Sequence, residues 1–122
     1  MAQDRPSAEN LLETVTTFLR DLMPKVNGAD RFHARVSIHL LEIVIRELRS
    51  GERYDAEEKD RLEALLGRKG SLPELNEQLA RAIRDGEFDE RREEAFVHVL
   101  RSVEDKLRIV NPAHLEQPAQ KP

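Results

Sequence analysis

Across residues 31–49 the apolar positions cover far more than one face of a helix. Drawn at about 100° per residue, Phe32, Val36, Leu40 and Ile43 form one row, with Val44 and Leu48 continuing round. Ala34, Ile38, Leu41 and Ile45 form another, leaving one polar stripe of Arg31, Arg35, His39, Glu42, Arg46 and Arg49. A helix so broadly apolar has to be covered by other helices or by a second copy. His33 and Ser37 fall one turn apart inside the apolar arc, so the pattern expects buried polar groups there.

The same period recurs on both sides of this segment. Leu11, Leu12, Val15, Phe18, Leu19 and Leu22 mark a first helix, capped by Ser7 and stopped by Pro24, which disfavours helical geometry at Met23. Asp30 is the expected cap of the second helix and Ser50-Gly51 its close, with Gly51 in the left-handed position. A short outer helix is expected from Asp55 through Leu62, Leu65 and Leu66 to Gly67. Ser71-Leu72-Pro73-Glu74 is a capping box with proline in the first turn, opening a helix of Leu72, Leu75, Leu79, Ala82 and Ile83 that ends at Gly86. Asp89 is the expected cap of the last helix, with Phe88 before it as a hydrophobic staple. Phe96, Val99, Leu100, Val103, Leu107 and Val110 mark its expected inner face, and Asn111-Pro112 its stop.

No strand period occurs, so the fold class is all-α: an antiparallel bundle of about five helices with a long, largely buried second helix. Residues 1–115 form a single helical domain in this reading, and the Pro/Gln-rich residues 116–122 a disordered tail. The apolar arc of the second helix is wide for so small a bundle and points to a homodimer, with burial inside one subunit equally allowed.

Composition narrows the chemistry. The chain has 122 residues, no cysteine and a formal net charge of −4. These exclude a disulfide framework, thiolate metal sites and a cysteine nucleophile, and they oppose broad phosphate-backbone binding. No nucleic acid and no membrane is therefore expected as partner, and the polar start MAQDRPSAEN fits a cytoplasmic protein. The carboxylates and histidines lack the paired Glu-x-x-His units of di-iron bundles, so neither metal nor cofactor is expected. Ser37 beside His33 lacks a nucleophile elbow, so no catalytic residue is assigned. His33 is read first as a structural histidine. Its ligand-binding alternative is a pocket with Arg35 and His39, serving a small molecule or anion and possessed by an enzyme in one version.

Three segments carry a resemblance: RPSAENLLETVTTFL, RFHARVSIHLLEIVIREL and LRIVNPAHL. Together they resemble an uncharacterised bacterial domain family of unknown function, and LNEQLARAIRDGEFD extends the likeness over nearly the whole chain. Arg5-Pro6, Phe32-His33-x-Arg35-Val36 and Asn111-Pro112 are its most specific positions. Members of that family are often encoded beside aminoglycoside-phosphotransferase-like kinases and acyl-CoA dehydrogenases. The resemblance implies no catalytic residues. It implies an accessory protein, noncatalytic rather than an enzyme, that binds, stabilises or regulates a neighbouring phosphotransferase-like or acyl-CoA-handling enzyme. The kinase signatures themselves are absent from the chain.

Overall fold

The computed structural model describes residues 7–116. Arg5 and Pro6, and residues 117–122 of the expected tail, lie outside the described residues. Five α-helices follow in order: α1 (Ala8–Leu22), α2 (Gly28–Leu66), α3 (Leu72–Arg84), α4 (Arg92–Val110) and α5 (Pro112–Glu116), with a 3-10 turn at Met23–Lys25. Among the described residues there is no strand, and the all-α fold class holds. The chain groups into two compact units that divide between Ser50 and Gly51.

The first unit is a hairpin of α1 and the first part of α2. Ser7 opens α1, its hydroxyl accepting the Asn10 N–H at 3.1 Å, and Pro24 turns the chain in the 3-10 segment. Arg20 pairs with Glu42. Arg49 pairs with Glu9 and, at 2.8 Å, with Glu13. Partners that descend along α1 as they ascend along α2 mean that the helices run antiparallel. Thr16, Ala34, Ile38 and Ile45 are buried along the seam. Thr16 is a polar residue there, and its hydroxyl donates to the Leu12 carbonyl at 2.8 Å, which satisfies it inside its own helix.

The second unit holds the rest of α2 with α3, α4 and α5. Its core is Leu62, Leu75, Leu79, Ala82, Phe88 and Ala95, with Leu65, Leu66 and Leu72 packed against it. The capping box at the start of α3 is complete. Ser71 Oγ accepts the Glu74 N–H at 3.3 Å, and the Glu74 carboxylate accepts the Ser71 N–H at 3.1 Å. Those bonds, the backbone one foremost, hold the Glu74 carboxyl below its ordinary range. Gly67 ends α2 at φ +70°, its N–H and that of Arg68 both reaching the Glu63 carbonyl.

Three expectations need correction. Ser50-Gly51 does not end the second helix: α2 runs unbroken for 39 residues and absorbs the expected outer helix. Gly51 is helical and buried. A glycine inside a helix costs about 1 kcal/mol, and good helix formers on both sides with no proline nearby outweigh that. Neither aspartate cap forms: Asp30 lies inside the first turn of α2, and Asp89 does not cap the last helix. The Asp89 N–H donates to the Gly86 carbonyl at 3.2 Å within the connecting turn, and α4 starts only after Arg91. The expected inner face of α4 is mostly its outer face. Ala95, His98, Asp105 and Ile109 are buried, whereas Phe96, Val99, Leu100, Val103 and Val110 are exposed.

Candidate functional site

Polar chemistry converges where α4 meets α2 in the second unit. His98, Ser102 and Asp105 follow one another at intervals of four and three, which places them on one side of α4. Arg61 of α2 reaches across to the first two. Its Nε donates to His98 Nδ1 at 3.2 Å, and one terminal nitrogen donates to Ser102 Oγ at 3.1 Å. A cation that donates to Nδ1 requires the neutral tautomer with its proton on Nε2. Burial pushes the His98 pKa down, the Arg61 charge adds to that, and Glu58 partly opposes it. Asp105 is buried, its Oδ1 accepting from Arg108 at 2.7 Å and Arg101 at 3.4 Å, while Oδ2 has no hydrogen-bond partner. These contacts explain the orientation of α4. A guanidinium bonded to His98 and Ser102 selects the polar side of the helix for contact with α2 and leaves the apolar side outward.

In the first unit the hairpin is two-sided. One side is a groove of about 510 Å³ lined by Glu13, Thr16, Arg20, Glu42, Arg46 and Arg49, among others. Arg20 and Arg49 are matched there by Glu42 and Glu13. The polar stripe of α2 is therefore largely a hairpin clasp, and Arg31 joins it by donating to the Met23 carbonyl at 3.2 Å. Away from the groove each helix carries an apolar row of its own. Leu11, Val15 and Phe18 of α1 are exposed, as are Val36, Leu40, Val44 and Leu48 of α2.

His33, Arg35 and His39 are all exposed, which overturns the expectation that His33 is buried. None of the three lines the groove. His33 lies about 160° from Arg35 and about 120° from His39 around α2, so this helix does not bring the three together. His33 belongs to the apolar side instead, its ring 5.7 Å from that of Phe32. Asn111 follows α4 and its carbonyl accepts the His114 N–H at 3.0 Å, while Pro112 begins α5. Those two residues shape a turn. Among the described residues no helix is long and apolar enough to cross a membrane.

A domain of unknown function, DUF6285, matches residues 24–114. The chain belongs to this family. The match spans α2 to α5 and includes Phe32, His33, Arg35, Val36, Asn111 and Pro112, the described positions on which the resemblance rests. No curated protein and no solved structure matches the chain. Membership in DUF6285 brings no activity with it, and the functional argument rests on the surfaces. Sequence reasoning missed His98 and Asp105, which lie in a stretch whose apolar residues dominate its period. The signal was there in the spacing of His98, Ser102 and Asp105.

Proposed function

We propose that this chain is a noncatalytic accessory protein that docks onto a neighbouring enzyme of phosphotransferase-like or acyl-CoA-handling type. One observation carries the reading: the uncovered apolar seam of α4. Phe96, Leu100, Val103, Leu107 and Val110 follow one another at alternating intervals of four and three, the spacing with which one helix packs along another. Phe96 is 61% exposed and Val103 49%. Isolated surface hydrophobics need no explanation, but a contiguous apolar stripe marks an interaction site. The family resemblance supplies the class of partner, and the absence of kinase motifs in the chain makes it the companion rather than the catalyst. Self-association as a homodimer in the cytoplasm belongs to the same reading.

The test is co-purification of the full chain with a kinase-like protein and an acyl-CoA dehydrogenase of the kinds the family resemblance points to, taken from the same host. A stoichiometric complex is expected with one of them. The double substitution Leu100→Asp/Val103→Asp should abolish it while leaving helical content intact, because both side chains already face solvent. A complex untouched by that double substitution, or no complex with either enzyme, overturns the reading.

A further inference from the structure

The exposed side of α2 reads nearly the same from both ends. Taking Leu40 as the centre, Val36 and Val44 lie four residues away on either side, His33 and Glu47 seven, and Phe32 and Leu48 eight. All seven are exposed, and all lie within the first unit. A seven-residue step returns to nearly the same helical direction, with a drift of about 20°. His33, Leu40 and Glu47 therefore lie along one line of the helix surface, with His33 and Glu47 displaced equally to either side of Leu40.

A histidine and a glutamate at equal distances either side of an apolar centre complement one another in an antiparallel copy. We infer that the α2 face centred on Leu40 docks a second copy of this chain, antiparallel and about a twofold axis through Leu40. Across such an axis Leu40 meets Leu40 once, and Val36 lies level with Val44 and Phe32 with Leu48, on the two flanks of the contact. The two polar residues of the face then fall opposite one another, a histidine donor against a carboxylate acceptor, once at each end. The reverse, parallel arrangement sets Glu47 beside Glu47 and His33 beside His33. Charge thus selects the antiparallel pairing.

The position of the surface fits the same occupant. Ala34, Ile38 and Ile45, the buried residues of the hairpin seam, lie about 120–160° round α2 from Leu40, so α1 leaves this face uncovered. Its five apolar residues leave on the order of 400 Å² open, within the ~300–600 Å² of a monomer's largest and often functional patch. A second copy on this face gives each α2 the covering that its apolar arc demands.

This inference gives the homodimer of the proposed function a face and an axis. Sedimentation equilibrium of the full chain, without any partner enzyme, tests it by charge reversal. The unsubstituted chain is expected to dimerise. His33→Glu sets two carboxylates face to face at both ends and should raise the dimer dissociation constant by about tenfold or more. Adding Glu47→Lys to it should recover the original association, since each new glutamate then meets a lysine. Circular dichroism checks that the variants remain helical. A monomeric unsubstituted chain overturns the inference. So does a dimer indifferent to His33→Glu, or one that Glu47→Lys fails to restore. A monomer that still captures its enzyme through α4 leaves the docking function standing. A charge-sensitive dimer that captures no enzyme fails that function alone.

Discussion

At the scale of single residues, the second unit holds one group whose neutral form the fold selects. His98 accepts from Arg61 and is buried, so its pKa in the folded chain lies below that of an ordinary histidine. The unfolded chain takes up that proton near pH ~6.5. Protonation therefore favours unfolding: the contribution is intact above about pH 6.5 and is lost as pH falls through the lowered folded value. The melting temperature is expected to drop between about pH 7.5 and 5.5. His98→Gln, which keeps an acceptor for Arg61 and removes the titration, should flatten that slope. Calorimetric scans at several pH values check this, and an unchanged slope contradicts it. The sequence names His98 but does not reveal its burial, because the guanidinium that fixes it comes from position 61, on another helix.

At the scale of elements, the serine caps were legible, and the aspartate caps and helix continuity were not. Ser7 and the Ser71–Glu74 box do what their positions dictate, since both ends of each interaction lie within one turn of chain. Ser50-Gly51 looks like a helix end because glycine tolerates the left-handed conformation, yet nothing local forces it to adopt one. Gly67 does adopt it, and a Cβ there would meet nothing within 4 Å. Gly67→Ala thus isolates the backbone term and should cost about 1–2 kcal/mol of stability, read as a lowered denaturant midpoint. An unchanged midpoint would mean that α2 ends differently. The orientation of α4 escaped the sequence for a related reason. Its apolar period is real, but a period names a face that must be covered, not what covers it.

At the scale of the whole molecule, that distinction becomes the main result. The wide apolar arc of α2, read as needing cover, is only partly covered by α1, whose contact falls on Ala34, Ile38 and Ile45. Val36, Leu40, Val44 and Leu48 remain open, and α4 keeps Phe96, Val99, Leu100, Val103 and Val110 open. His33, the leading candidate site residue, changes place accordingly, from an expected buried group to an exposed residue beside Phe32. The fold class and most helix positions were legible from the period of the chain. The exposed faces were not, because a period does not say which apolar rows the rest of the chain covers. The most direct measurement is the mass of the full chain in solution at micromolar concentration, by light scattering, beside that of Leu40→Asp. The account predicts twice 14.1 kDa for the chain and 14.1 kDa for the variant. A mass of 14.1 kDa for both would contradict it.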